Sequence, residues 1–186
     1  GRVLIAAPLA VSTQTVREGK KFDVDVSYCT EDNGERVVVT NYERLENFNP
    51  QEFHGIVLDE SSILKNYTGK FRNYLIDAWG GLPFRLAATA TPAPNDHMEL
   101  GNHAEFLGTM TRTEMLAHFF VHDGGETQSW RLKGHAEDEF WKWLASWAVM
   151  IRKPSDLGYD DGAFILPSLN IHQHTIESGQ QMEGFL

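Results

Sequence analysis

The sequence predicts an α/β fold in which a parallel sheet is flanked by helices and followed by a helical extension. Short apolar runs rich in Val, Ile and Leu recur in the first half, at residues 3–7, 24–28, 37–40, 55–58 and 84–88. Most of these runs do not alternate with polar residues, which is typical of strands covered on both faces. Helix-like segments lie between several of them, and alternating strands and helices favour a parallel sheet.

The connections in the first half carry helix and turn signals. Helices are expected at residues 9–18 and 66–79, where apolar residues recur at helical spacing. Glu31-Asp32-Asn33-Gly34 is a turn signal between two strand-like runs, and Gly80-Gly81-Leu82-Pro83 ends the second helix before the fifth strand.

The sequence after residue 94 is predicted to be mainly helical. Helices are expected at residues 95–107, 111–121 and 137–151, and the aromatic stripe on the last of them is interpreted as packing. The polar stretch 122–127 predicts an exposed loop or a small hairpin. Residues 154–167 resemble a linker, and residues 169–176 predict a strand that opens a second domain.

Composition limits the possible functions. The 186 residues are 41% hydrophobic and 11% aromatic, which is enough for a globular core. With 16 Lys and Arg against 26 Asp and Glu, the net charge is −10. A self-sufficient, high-affinity nucleic-acid binder is therefore not expected, because phosphate neutralisation needs clustered cations. Any contact with nucleic acid should be local or shared with another part of the protein.

The cellular setting is expected to be the cytoplasm. The single Cys29 rules out a disulfide framework and a thiolate zinc site, in keeping with a reducing compartment. No apolar run approaches the roughly 18 to 20 residues of a membrane span, and no signal-peptide cleavage region precedes the first strand. The chain opens inside an apolar run, so both of its ends are expected to be artificial.

The strongest chemical signal is a pair of carboxylates, Asp59 and Glu60, at the end of the apolar run 55–58. Ligands of open parallel sheets bind at the carboxyl ends of the strands. Acids at a buried strand tip need compensation, which a divalent cation supplies. Asp59 would hold Mg²⁺ through water, and Glu60 would orient and deprotonate the water that attacks a γ-phosphate. The alternative is a strand that runs into an acidic surface turn.

Two weaker signals accompany the carboxylates. Thr89 and Thr91 follow the fifth strand and can hydrogen-bond the neighbouring carboxylates or a nucleotide, although a plain strand-to-helix turn explains them equally well. Thr40 and Asn41 end the third strand with a hydroxyl and an amide, which are groups that can take a backbone phosphate.

Together these residues carry a family resemblance. They look like motifs Ia, Ib, II and III of Swi/Snf-like helicase ATPases in the DEAD/DEAH-box superfamily. In chain order the segments are Ala7-Pro8-Leu9, Thr40-Asn41-Tyr42-Glu43-Arg44-Leu45, Leu58-Asp59-Glu60-Ser61-Ser62 with Lys65-Asn66, and Ala88-Thr89-Ala90-Thr91-Pro92-Ala93-Pro94-Asn95. The similarity covers residues 2–110 well and continues weakly to residue 167. The order of the segments is more specific than any one of them.

The resemblance implies a fold and a set of partners. Residues 1–110 would be part of an N-terminal RecA-like lobe, 111–153 a helical extension, and 154–186 a linker and the start of a second lobe. ATP and Mg²⁺ would bind between the lobes of a translocase or helicase that acts on nucleic acid, with the Swi/Snf-like details favouring duplex DNA. A bacterial or phage origin would suit so compact a variant.

The resemblance also implies roles for particular residues. Pro8, Leu9, Thr40 and Asn41 would lie near the phosphodiester track, while Thr89, Ala90 and Thr91 would relay the nucleotide state. The family's usual Ala-His or Ala-Gln after the acidic pair is Ser61-Ser62 here. This departure puts the link between motifs II and III in doubt, although a Ser hydroxyl can still bond Thr89 or Thr91.

The sequence contains no phosphate-binding loop, since neither Gly19-Lys20 nor Gly69-Lys70 has the required glycine and hydroxyl residues around it. In the family this loop precedes motif Ia. The chain alone is therefore expected to have negligible ATPase activity. Surface or capping roles are expected for five histidines outside these motifs: His97, His103, His118, His122 and His135.

Two other classes of function stay open at this point. A degenerate RecA-like lobe would serve as a non-catalytic interaction scaffold, although such a scaffold has no use for paired acids at a strand tip. An unrelated α/β enzyme would use the carboxylates for metal-assisted hydrolysis without ATP, but the additional ligands of a self-contained two-metal site are lacking.

Overall fold

The fold is described from a computed structural model that covers residues 1–65, 69–93, 95–122 and 130–174. Contacts divide the chain into two compact units, Gly1–Trp147 and Ala148–Leu186. The predicted division into a lobe, a helical extension and a second lobe stays a prediction. Within the described ranges, every helix is too short or too polar to cross a bilayer.

The first unit is built on a five-stranded parallel sheet with the order β2-β3-β1-β4-β5. The strands are β1 (Val3–Ala7), β2 (Ser27–Tyr28), β3 (Val37–Asn41), β4 (Gly55–Asp59) and β5 (Phe84–Ala88). This confirms the predicted α/β fold with a parallel sheet. The second strand is shorter than its predicted span of 24–28. Because every strand is parallel, all carboxyl ends lie along one edge of the sheet.

Helices flank the sheet and continue beyond it. They are α1 (Leu9–Lys21), α2 (Lys70–Trp79), α3 (Leu100–Leu107), α4 (Arg112–Phe119) and α5 (Glu137–Ala145). The first helix runs three residues beyond its predicted end at residue 18. The start of the predicted helix 66–79 lies partly outside the described residues. Gly108, which has a φ of 71°, ends α3 in the left-handed conformation that glycine adopts readily.

Apolar side chains cover both faces of the central strands. One face packs fully buried residues of β1 and β4 against α2 and α3: Leu4, Ile56, Leu58, Leu75, Trp79 and Phe106. The other face packs Ala7 and Val39 against residues of α1. Strand β5 differs, since Phe84 is 71% exposed and Leu86 is 56% exposed. Coverage on both faces, which is expected for most of the apolar runs, does not extend to β5.

The helices after residue 95 form a second hydrophobic cluster. Phe140 of α5 is fully buried and its ring contacts the rings of Phe119 and Phe120, at centroid distances of 5.4 and 5.7 Å. This is the packing role expected for the aromatic stripe. Helix α4 begins with a capping box between Thr111 and Glu114.

The predicted boundaries of these helices need correction. Instead of continuing to residue 121, α4 gives way at Phe120 to an antiparallel hairpin of β6 (Phe120–His122) and β7 (Trp130–Leu132). The exposed loop or small hairpin predicted at 122–127 stays a prediction, because residues 123–127 lie outside the described residues. The helix predicted at 137–151 ends at Ala145, and the apolar residues 149–151 at the end of the predicted span are exposed, so burial does not extend the helix to them.

The described part of the second unit, which reaches residue 174, consists of extended chain and two 3₁₀ turns, Pro154–Leu157 and Gly162–Phe164. The carboxylate of Asp156 accepts hydrogen bonds from the backbone N–H groups of Arg152 and Lys153, which organises the first turn. No strand forms over residues 169–174, contrary to prediction, and the last two residues of the predicted strand lie outside the described residues.

Candidate functional site

The sequence motifs meet at the carboxyl edge of the sheet. In the strand register, Ala7 of β1 is opposite Asn41 of β3, and Asp59 of β4 is opposite Ala88 of β5. The acidic pair and the threonine segment therefore follow adjacent parallel strands and leave the sheet at the same edge. This is the arrangement that the order of the motifs predicted.

The acidic pair lies at the point where the chain turns away from β4. Asp59 is partly buried, and Glu60 is exposed with a backbone φ of 54°. The Oδ1 atom of Asp59 accepts a hydrogen bond from the N–H of Glu60 at 3.1 Å. This bond closes a local turn at an exposed glutamate.

Tyr42 supports this turn from the neighbouring segment. Its hydroxyl donates a 2.7 Å hydrogen bond to the backbone carbonyl of Asp59. The ring is 6% exposed, and burial, helped by the charges of Asp59 and Glu60, raises the pKa of Tyr42. The hydroxyl therefore remains a protonated donor. Tyr42 lies in the segment that resembles motif Ib, but no local pattern in the sequence predicts this supporting role.

Helix α3 supports the turn from the other side. The Oγ atom of Ser61 lies 3.2 Å from Nε2 of His103, and the side-chain amide of Asn102 donates to the carbonyl of Lys65 at 3.1 Å. Both bonds reach the 3₁₀ turn Ser61–Lys65, which directly follows Glu60. The segment after the acids is thus attached to α3 at its beginning and at its end.

This contact corrects two expectations. His103 is 4% exposed and packs inside the unit, so the surface or capping role predicted for it is wrong. The physical reason is that α3 is buried on nearly every side, with six of its eight residues buried. Burial lowers the pKa of His103, while interaction with Glu99 opposes the shift. The Ser61 hydroxyl bonds this histidine rather than Thr89 or Thr91.

The threonine segment after β5 is more open. Thr89 is partly buried, whereas Ala90 and Thr91 are exposed. The Oγ1 atom of Thr89 accepts a 3.1 Å hydrogen bond from the N–H of Thr91, which forms a local turn. The segment keeps the hydroxyl groups that the resemblance requires, while Pro94 lies outside the described residues.

The four residues that the resemblance places near the phosphodiester track differ in exposure. Pro8 and Leu9 begin α1 at the carboxyl edge, and Leu9 is 64% exposed. Thr40 is fully buried and Asn41 is 7% exposed, with the Asn41 amide donating to Glu43 at 2.6 Å. Only the first pair offers surface to a phosphate in this conformation.

The acidic pair suits a metal ion that arrives with a nucleotide. Within the described parts of the chain, no group of three or more His, Cys, Asp or Glu residues could hold a metal. Mg²⁺ in ATPases uses one or two carboxylates, together with water and substrate phosphates. Asp59 fits that pattern, and these residues give no support to a self-contained two-metal site.

Comparison with known proteins supports the fold. Neither the family models nor the curated proteins give a match. Among solved structures, the chain is similar to the Sulfolobus solfataricus SWI2/SNF2 ATPase core in complex with dsDNA, with a TM-score of 0.53 and 23% sequence identity. The match covers 63% of this chain and 28% of that one. A likeness at this level shows a RecA-like α/β fold and leaves the activity to be proposed.

Proposed function

We propose that the chain is part of the first RecA-like lobe of an ATP-dependent translocase or helicase that acts on nucleic acid, with duplex DNA as the favoured track. The observation that carries the proposal is the placement of Asp59 and Glu60 at the tip of β4, beside the tip of β5. The similarity of the sheet to a SWI2/SNF2 ATPase core supports the same class of protein.

The two acids would divide the chemistry between them. Mg²⁺ bound to ATP would neutralise charge on the phosphates, and Asp59 would hold that ion through water. The exposed Glu60 would orient the attacking water and accept its proton. Tyr42 and His103 would keep the backbone around both acids in place, through the bonds to Asp59 and Ser61.

The remaining parts of the site would come from elsewhere in a longer polypeptide. A phosphate-binding loop and a second RecA-like lobe would complete the ATP cleft, and Thr89 to Thr91 would relay its state. The charge of −10 favours a nucleic-acid contact that the second lobe shares. Pro8 and Leu9 would meet the phosphodiester track directly, whereas Thr40 and Asn41 would need to move to reach it. A cytoplasmic setting in a bacterium or phage is part of the proposal.

The test is ATP hydrolysis by a polypeptide that carries this chain with its flanking sequence. Rates should be measured without nucleic acid and with duplex DNA, single-stranded DNA and RNA. Duplex DNA is expected to stimulate turnover most, and the 186-residue chain alone should show negligible turnover. A rate that no nucleic acid changes would argue for a different class of ATPase.

A matched pair of variants makes the test specific. Glu60→Gln should lower turnover by about 10²–10⁴-fold, because it removes the general base. Glu52→Gln is the control, since Glu52 is also exposed but precedes β4 at the opposite edge of the sheet. Equal rates for the two variants would remove Glu60 from the mechanism.

A further inference from the structure

Glu60 has a backbone conformation that glutamate rarely adopts. Among the described residues other than glycine, only Asp23 and Glu60 have positive φ values, of 56° and 54°. In this left-handed region the Cβ atom crowds the following carbonyl oxygen, and glutamate lacks the short polar side chain that helps Asn and Asp tolerate it. Such a conformation persists only where the surrounding structure imposes it.

The chain on both sides of Glu60 is held by buried side chains from other elements. Before it, the Tyr42 hydroxyl donates to the Asp59 carbonyl at 2.7 Å. After it, Ser61 contacts His103 at 3.2 Å, and Asn102 donates to the Lys65 carbonyl at 3.1 Å. The supports come from the segment after β3 and from α3, so the strained residue is fixed from two directions.

These supports are rigid because they are buried. Tyr42 is 6% exposed, Ser61 and Asn102 are fully buried, and His103 is 4% exposed. Breaking the contact between Ser61 and His103 leaves a buried polar group without that partner, which is costly. The Glu60 side chain itself is exposed. Rigid backbone therefore carries a carboxylate that is free to meet a ligand.

We propose that Tyr42, Asn102 and His103 are positioning residues that hold Glu60 in its left-handed conformation. The backbone position from which the Glu60 side chain reaches its water is thereby set before the nucleotide arrives. His103 also joins α3 directly to Ser61, the residue that follows the acidic pair. The catalytic consequence rests on the proposed function, whereas the conformational claim does not.

The conformational claim is tested by thermal unfolding of the full-length protein. Glycine adopts positive φ at little cost, so Glu60→Gly should raise the midpoint by about 2–4 °C, the shift that relief of a modest strain produces in a domain of this size. Glu52→Gly is the matched control, because Glu52 is exposed and lies in a 3₁₀ turn with ordinary φ. It should lower the midpoint. Equal lowering by both substitutions would overturn the claim that Glu60 is held under strain.

The positioning claim is tested by steady-state kinetics of the same protein. His103→Leu should lower kcat for ATP by roughly ten- to a hundredfold with KM unchanged, because misplaced groups cost rate rather than ground-state binding. His103→Gln can keep a nitrogen near the position of Nε2 and should recover most of the rate. His118→Leu, on the exposed surface of α4, is the control and should leave kcat unchanged.

The outcomes separate the two proposals. Absence of ATP turnover by the wild-type protein, in the presence of every nucleic acid tried, would defeat the proposed function, and the unfolding experiment would still decide the strain. Normal turnover together with equal kcat values for His103→Leu and His118→Leu would defeat the positioning role alone. If His103→Leu does not fold, Ser61→Ala removes the same contact with a smaller change. A lowered kcat for Ser61→Ala would support the positioning role, and a wild-type kcat would defeat it.

Discussion

The tips of β4 and β5 are neighbours in one sheet, but they are supported in different ways. At the end of β4, the Tyr42 hydroxyl donates to the backbone carbonyl of Asp59, and His103 contacts the side-chain hydroxyl of Ser61. At the end of β5, the described contact of Thr89 is a local bond from the N–H of Thr91. The strands themselves differ too, since Leu58 of β4 is fully buried and Leu86 of β5 is 56% exposed.

This difference indicates separate tasks for the two tips. A strand end that other elements hold in place suits groups that must keep one geometry, such as a metal ligand and a general base. Preorganised groups of this kind need no rearrangement during reaction. A weakly attached tip suits a segment whose conformation follows a ligand, because local stability is low where few buried contacts hold the chain. The proposed division between the acids and the threonine relay agrees with this contrast.

The largest expected effect compares the two strands. Leu58→Ala should lower the free energy of unfolding by about 2–5 kcal/mol, because it leaves a cavity in the core. Leu86→Ala, one register position away on the neighbouring strand, should cost less than about 1 kcal/mol because the side chain is already exposed. Urea denaturation of both variants measures the difference. Similar losses would show that β5 is as well packed as β4.

A smaller effect compares the bonds at the two tips. Tyr42→Phe removes the donor to the Asp59 carbonyl and should cost about 0.5–1.5 kcal/mol, the net contribution of a typical hydrogen bond, because the carbonyl is only partly buried. Thr89→Val removes a local bond at an open turn and should change stability by less than about 0.5 kcal/mol. The same urea experiment measures both. A larger loss of unfolding free energy for Thr89→Val than for Tyr42→Phe would contradict the difference between the two tips.

The smallest expected effect concerns pH. Burial lowers the pKa of His103 against the opposing influence of Glu99, so the unfolded chain binds this proton more strongly than the folded one. Stability from this residue is complete above the ordinary histidine pKa of about 6.5 and decreases as the pH falls below it, until His103 itself is protonated. Unfolding free energies at a series of pH values, compared with those of His103→Gln, measure this contribution. Identical pH profiles would contradict it.

Much of the fold could be predicted from the sequence, because its signals are local. The apolar runs predict β1, β3, β4 and β5 close to their observed bounds. The acids and the threonines each follow one of these runs, so a parallel sheet places both at the same edge. Segment ends were less accurate. The helix predicted at 111–121 becomes a hairpin strand at Phe120, because tertiary pairing with β7 replaces the local helical pattern.

The supports of the candidate site could not be predicted in the same way. Tyr42 is 17 residues away from Asp59 in the chain, and His103 is 42 residues away from Ser61. No periodicity in the sequence encodes contacts over such separations. A helical pattern does not show whether a histidine within it is buried, so the sequence predicts a surface or capping role for His103. The left-handed conformation of Glu60 was equally hidden, since glutamate is not a residue that signals positive φ.

The most direct test of the account separates nucleotide binding from hydrolysis. In the full-length protein, Glu60→Gln should bind Mg²⁺ and ATP with wild-type affinity, while a single-turnover measurement with duplex DNA should show the chemical step slowed by about 10²-fold or more. That result would place Glu60 at the reacting water. Wild-type single-turnover rates in Glu60→Gln would contradict the claim that the acids at the tip of β4 carry the chemistry.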